Sequence, residues 1–208
     1  LLHEEKLDNL VCELFKLETE EPDLTRWQAF VDRVISPSRR IRVAVVGTYI
    51  ELQDAYKSIY EALTHAGAAE DCGIEVVRVD SEDIERSGAD LYLAGIDGLL
   101  IPGGFGDRGI EGTISAARYA RDHRNPYLGL CLGMQIATIE FARNVCGLDG
   151  ASSTEFDPST PHPVICLLEE QKGVTHKGAS MRLGTCVTDI KAGTRAYDLY
   201  GSATVSER

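Results

Sequence analysis

Cys131 stands at the centre of the pentad Gly-Leu-Cys-Leu-Gly, residues 129–133, where a short apolar run gives way to a helical pattern. A thiol in that place is a candidate nucleophile for acyl transfer. Glycines two residues before and two after it let the chain turn sharply enough to lift the side chain above the surrounding structure, the steric logic of a nucleophile elbow. The helix that follows adds free N–H groups and the positive end of its dipole, which favour the anionic form of sulfur. The five other cysteines (12, 72, 146, 166 and 186) lack such flanks and contain no C-x-x-C pair. They read as buried structural thiols of a reducing compartment.

Acyl chemistry at a thiolate also needs N–H donors for the tetrahedral oxyanion. A second glycine-rich loop, "PGGFGDRG" at 102–109, can provide one. It is not a phosphate-binding P-loop, because no G-x-x-x-x-G-K-[ST] occurs in it. Gly104 from this loop and Leu132 from the pentad are the candidate oxyanion donors. The remaining requirement is a general base, usually a histidine oriented by a carboxylate. The five histidines are 3, 65, 123, 162 and 176. His3 falls in the leading helix, and His65 and His123 near helix ends, where a histidine is an ordinary dipole partner. His162 sits between prolines and His176 in a polar loop, and both are expected to face solvent. The expectation is a nucleophile and an oxyanion loop without their base.

Stepping outward, these loops must hang on strands. "IRVAVVG" (41–47), "IEVVRVD" (74–80), "DGLLIPGG" (97–104) and "YLGL" (127–130) are apolar, β-branched or glycine-ended runs of the kind buried in parallel sheets. Helical patterns at 53–66, 111–123 and 133–146 alternate with them. The alternation predicts an α/β fold, an open, mostly parallel, twisted sheet with helices on both faces, whose chemistry gathers at the carboxyl ends of the strands. Two amphipathic helices, 4–16 (Leu7, Leu10, Val11, Leu14, Phe15) and 24–35 (Trp27, Phe30, Val31, Val34), precede a polar joint, "SPSRR" at 36–40. That joint divides residues 1–40 from a domain of 41–208. Further strands are expected at 163–168, 180–190 and 202–207, as antiparallel additions to the sheet.

Composition bounds the function classes. The 208 residues are 43% hydrophobic and 26% charged, with a net charge of −12. That balance argues against a nucleic-acid surface, which would carry a basic face. No run approaches the roughly 18 apolar residues of a membrane span, and the first residues do not read as a signal peptide. No metal-ligand cluster stands out. A cytoplasmic protein is the expectation.

The residues also carry a resemblance. "GLCLGMQ" around Cys131 resembles the nucleophile motif of class I (triad-type) glutamine amidotransferases. "YIELQDAYKSIYEALTHAG" (49–67), "IPGGFGDRGIEG" (101–112), "IEFARNVCGL" (139–148), "STEFDPSTPHPVI" (153–165) and "MRLG" (181–184) are similar to the glutaminase domain of the CTP synthase family. The resemblance implies a flavodoxin-like amidotransferase fold that hydrolyses L-glutamine through a cysteinyl thioester. The ammonia would pass to a synthetase domain that makes CTP from UTP with ATP and Mg²⁺. It implies no cofactor in this domain, GTP as an allosteric effector, and a homotetramer for the intact enzyme. Residues 1–40 would be the end of the synthetase domain and its linker. By the same resemblance Cys131 is the nucleophile, and Gly104 and Leu132 shape the oxyanion hole. Phe105, Gly133 and Met134 border the glutamine site, and Gln135 and Glu155 hold the amino-acid end of the substrate.

The chain departs from the family pattern at Thr48 (lysine expected), at Ser152 (asparagine expected) and in "KGASMRLG" (177–184), changes that bear on GTP response more than on thioester chemistry. The family's base, a His-x-Glu pair, and a glutamine-gripping arginine find no match within 208 residues, so the chain is expected to be incomplete and to turn over little glutamine by itself. Two other readings fit the elbow: a cysteine hydrolase of γ-glutamyl or peptide substrates on a related fold, and a non-catalytic regulatory module.

Overall fold

The structure is a computed structural model that describes residues 3–50, 52, 54–167 and 184–207. The chain forms two compact units, Leu1–Arg42 with Lys57–Val76, and Val43–Tyr56 with Val77–Arg208.

In the first unit, α1 (Leu7–Phe15) and α2 (Thr25–Ile35) lead into the opening of β1 (Arg39–Gly47). α3 (Lys57–Ala69) then feeds the opening of β2 (Cys72–Asp80). α2 packs on α3, with Phe30 meeting His65 edge-on at 5.7 Å and Trp27 stacked on Phe30. The α1 face expected to be apolar is present but exposed, Leu14 and Phe15 most of all. α3 starts later than the pattern predicts: Leu52 N–H bonds Tyr49 O and Ala55 N–H bonds Leu52 O, i→i−3 turns that hold the chain out of an α-helix. It also runs past Gly67, which lies against the Cys72 carbonyl where a side chain would not fit.

The second unit holds the site. β1 continues to Gly47, and β2 to Asp80, whose side chain accepts the Glu82 N–H at 2.8 Å and caps α4 (Ser81–Ser87). α5 (Ala89–Leu93), β3 (Gly98–Ile101), α6 (Ile110–His123), β4 (Tyr127–Gly129) and α7 (Leu132–Asn144) follow. The sheet order is β2-β1-β3-β4, with β1, β3 and β4 parallel and Val43 opposite Gly98, Ile101 opposite Gly129. This is the open parallel sheet flanked by helices that the alternation predicts. The order reverses between β1 and β3, the switch point of a doubly wound sheet, so the loops that leave β1, β3 and β4 open side by side. All four residues of β3 are buried, as befits a strand covered on both faces, and Pro102, without an N–H, ends it. Ala44, Val46, Leu99 and Ile101 from the sheet meet Ile114, Ala117 and Ala120 of α6 and Ile136 and Ile139 of α7. Full burial of Ile136 and Ile139 contributes ~1.5–3 kcal/mol each. Between α6 and α7 the buried Glu140 carboxylate accepts three N–H bonds from Arg121, at 2.9 to 3.1 Å.

Three expectations need correction. The sequence reading has no element between Asp80 and Asp97, where α4 and α5 lie. The later strands do not extend the central sheet: β5 (Ser152–Ser153) pairs parallel with β6 (Pro163–Ile165), and β7 (Cys186–Asp189) pairs antiparallel with β8 (Thr204–Glu207), in two separate ribbons. β7 is exposed along its whole length, so it has no face to bury against a core sheet. A short helix, α8 (Arg195–Tyr200), joins β7 to β8, capped by Thr194. Of the five cysteines read as structural, Cys72 is buried and Cys12 half-buried, whereas Cys146, Cys166 and Cys186 are exposed; all six are free thiols. Residue 168 of the expected strand 163–168, residues 180–183 of the expected strand 180–190, and His176 lie outside the described residues.

Candidate active site

Cys131 is the residue between β4 and α7, and its backbone is strained: φ 51° and ψ −102°, a left-handed region that a non-glycine residue seldom enters. Such a conformation costs ~1–3 kcal/mol and persists only where the surroundings enforce it. Here Leu130 N–H bonds Ile101 O at 2.9 Å, and the Cys131 carbonyl accepts Met134 N–H at 3.1 Å and Gln135 N–H at 3.3 Å. The thiol is exposed at the start of α7.

The glycines of the pentad have a different task from the one their sequence position suggests. Neither Gly129 nor Gly133 has a positive φ, so the sharp turn rests on Cys131 itself. A Cβ on Gly129 would stand 2.5 Å from Gly133 O and 2.7 Å from Met134 N, and one on Gly133 would run into the Ile101 carbonyl. Both glycines allow strand and helix backbones to touch. Tyr127, on β4, uses that closeness: its hydroxyl donates to Gly133 O at 2.6 Å. Burial, with the Glu140 charge second, pushes the Tyr127 phenol above its ordinary range.

The loop after β3 faces this turn. A Cβ on Gly103 would lie 4.0 Å from Cys131 Sγ, and one on Gly104 would lie 3.1 Å from Leu132 Cδ2. Gly103, Gly104, Phe105 and Leu132 line a small cleft together with Thr48, Tyr56 and Arg108, and Cys131 stands next to it, against Gly103. Gly106, at φ 89°, donates its N–H to Glu155 Oε1 at 3.3 Å. Glu155 comes from the turn after β5, where Glu155 N–H bonds Ser153 Oγ at 3.1 Å. Arg143 of α7 holds the residue before β5 through Ala151 O at 2.6 Å and pairs with both carboxylate oxygens of Glu111 on α6. Glu155, 49 positions along the chain from Gly106, is thus tied to the loop after β3.

The sequence places this geometry in a family. The profile of the family described as "Glutamine amidotransferase class-I" matches residues 51–206, three quarters of the chain. The chain belongs to the class-I glutamine amidotransferase family. It is 51% identical over 208 residues to the CTP synthase of Synechococcus sp. and, over the same span, 51% identical to that of Geobacillus kaustophilus. The whole chain is covered in both comparisons, but it spans 38% and 39% of those proteins' length. Among solved structures, the glutaminase domain of Trypanosoma brucei CTPS with bound acivicin superposes with a TM-score of 0.70 at 37% identity, covering 81% of this chain and 65% of that one.

Within this amidotransferase fold, the structure brings Cys131, Leu132, Gly104 and Phe105 to one place and links Glu155 to the same loop. Gln135 is half-buried one turn into α7, Gly133 is buried beneath β3, and Met134 is exposed. Three of the four described histidines have side-chain partners away from Cys131, and His162 is held through its backbone. His3 bonds Asp8, His65 packs on Phe30, His123 stacks on Tyr119, and the His162 carbonyl accepts Ser152 N–H. Two cleft residues, Arg108 and Tyr56, and a brace beside the elbow, Tyr127, escaped the sequence reading. Arg108 donates to Thr48 O at 2.6 Å and lies over the Tyr49 ring, Tyr56 packs beneath Gly47, and Tyr127 braces α7. Arg108 sat in plain view inside "GGFGDRG"; nothing local marks the two tyrosines. Among the described residues no group of His, Cys, Asp or Glu is arranged to hold a metal, and no helix is long and apolar enough to cross a membrane.

Proposed function

We propose that this chain is the glutaminase part of a CTP synthase. It binds L-glutamine in the cleft beside Cys131, forms a γ-glutamyl thioester and releases ammonia for the conversion of UTP to CTP. The observation that carries the reading is the strained, exposed Cys131 facing the Gly103–Gly104 loop within a segment matched by the amidotransferase profile. In this reading the Cys131 thiolate attacks the carboxamide carbon and the C=O pair moves onto oxygen, where the N–H groups of Gly104 and Leu132 hold it. The nitrogen takes up the proton that a general base removed from the thiol and leaves as ammonia, and water then cleaves the thioester to glutamate. Glu155 and Gln135 receive the α-amino and α-carboxylate groups, and Phe105, Gly133 and Met134 border the side-chain channel. Glu155 supports this as a carboxylate already poised over the Gly106 N–H.

The similarity to CTP synthases supports the rest of the proposal: a synthetase domain that uses ATP and Mg²⁺, a GTP effector, a homotetramer, a cytoplasmic location, and residues 1–40 as the linker to the synthetase domain.

The test is protection of the thiol. Iodoacetamide labelling of Cys131, followed by peptide mass spectrometry, is expected to slow in the presence of L-glutamine or acivicin and to be indifferent to L-asparagine. Equal labelling with and without both ligands would overturn the assignment of this cleft to glutamine.

A further inference from the structure

Tyr127 takes no part in the chemistry above, yet its hydroxyl begins a run of hydrogen bonds that ends at the reacting centre. It donates to Gly133 O at 2.6 Å. That carbonyl shares a peptide unit with the Met134 N–H, which donates to Cys131 O at 3.1 Å; Gln135 N–H adds a second bond to the same oxygen at 3.3 Å. The Cys131 carbonyl in turn shares its peptide unit with the Leu132 N–H. Leu132 is the first residue of α7, where a helix leaves its N–H groups without intrahelical partners. Hydrogen bonds linked through amides polarise one another, strengthening by about 10–30% each.

We infer that Tyr127 is a positioning residue for the acyl-transfer step, orienting and polarising the amide chain that presents the Leu132 N–H to the oxyanion. The inference rests on the proposed role of Leu132. A phenylalanine would fill the same space, so what the hydroxyl adds is the hydrogen bond to Gly133 O. The β4–α7 approach allowed by Gly129 and Gly133 is what brings the hydroxyl within reach. Because the phenol is held above its ordinary range by burial, it remains a donor across neutral and mildly alkaline pH.

The experiment contrasts two reactions of the same sulfur. With p-nitrophenyl acetate the thiolate adds to the carbonyl carbon and the C=O pair moves onto oxygen as the oxyanion. Collapse then expels 4-nitrophenolate, which leaves without a proton and needs no base. With iodoacetamide the thiolate displaces iodide from a saturated carbon and no oxyanion forms. Single-turnover rate constants are measured for the wild type and for Tyr127→Phe, and Cys131→Ala reports the background of the five other thiols. Tyr127→Phe is expected to slow acylation of Cys131 by about three- to tenfold, a fraction of what loss of a whole oxyanion donor costs, while alkylation stays within about twofold. Equal slowing of both reactions, the mark of a displaced elbow, would overturn the inference, as would unchanged acylation. Neither reagent requires a glutamine site, so failure of glutamine protection in the preceding experiment and failure here are separate results.

Discussion

Gly129→Ala is the perturbation that tests the elbow most directly. At a glycine with ordinary backbone angles, an added methyl normally stabilises a protein by ~0.4–1 kcal/mol, because it restricts the unfolded chain. Gly129 is such a glycine by its φ. The structure predicts the opposite sign. The new Cβ would stand 2.5 Å from Gly133 O and 2.7 Å from Met134 N, both backbone atoms, against 3.4 Å for ordinary contact. β4 and α7 must therefore separate by about 0.9 Å, since no rotamer can absorb the overlap. Overpacking of this kind costs ~1–3 kcal/mol, and backbone partners place it at the upper end, ~3 kcal/mol. At ~2–4 °C per kcal/mol for a chain of this size, the melting temperature falls by ~6–12 °C. The same shift stretches the Tyr127–Gly133 bond from 2.6 Å to the edge of hydrogen bonding, so p-nitrophenyl acetate acylation of Cys131 falls at least as far as in Tyr127→Phe. Thermal unfolding by circular dichroism and the single-turnover assay read the two effects. Gly147→Ala is the comparison: it has φ 69° but nothing within 4 Å of its Cβ, so it loses only the ~1–2 kcal/mol of left-handed strain. A Gly129→Ala protein that melts at or above the wild-type temperature would refute the reasoning.

Two further predictions concern ionised groups. Arg121→Met strands the Glu140 carboxylate, whose side chain is 4% exposed, leaving Asn144 Nδ2 at 3.2 Å as its side-chain donor among the described residues. Breaking a buried pair costs ~3–5 kcal/mol, and solvent screening of the partly exposed arginine reduces this to ~2–3 kcal/mol; adding Glu140→Leu should recover most of the loss in urea unfolding, and a variant as stable as wild type would contradict it. The Asp157 carboxylate accepts Ser159 Oγ–H at 2.7 Å and Ser159 N–H at 2.9 Å, and the side-chain bond first, then the backbone bond, hold it below the usual aspartate range. A folded value below the unfolded one means a contribution present above the ordinary aspartate range near 4 and lost as pH falls through the folded value. Ser159→Ala should raise the Asp157 midpoint in a carboxyl-carbon NMR titration, and an unmoved midpoint would count against the bond.

What the sequence determined by itself is local and periodic. The apolar runs at 41–47, rich in β-branched residues, and at 98–101 declare buried parallel strands, and helical repeats between them dictate the alternation. The pentad around Cys131 announces a thiol at a strand-to-helix turn. Even α4 was legible, since Asp80 before Ser-Glu is a helix cap, although the sequence reading passed over it. The polar strands after residue 150 were legible as strands but not as separate ribbons, because a strand's partner is decided by which edge has a face to bury. The tertiary structure alone decided why the pentad needs its glycines. Their φ values are ordinary, the strain sits on Cys131, and the need for a missing side chain comes from Ile101 and Gly133 backbone atoms that approach from other segments. Glu155 reaching Gly106 N–H and Tyr127 reaching Gly133 O depend on the same thing. Periodicity tells a chain which face to bury, but how closely two buried backbones approach is set by packing across the core, and that distance decides which donors meet which acceptors.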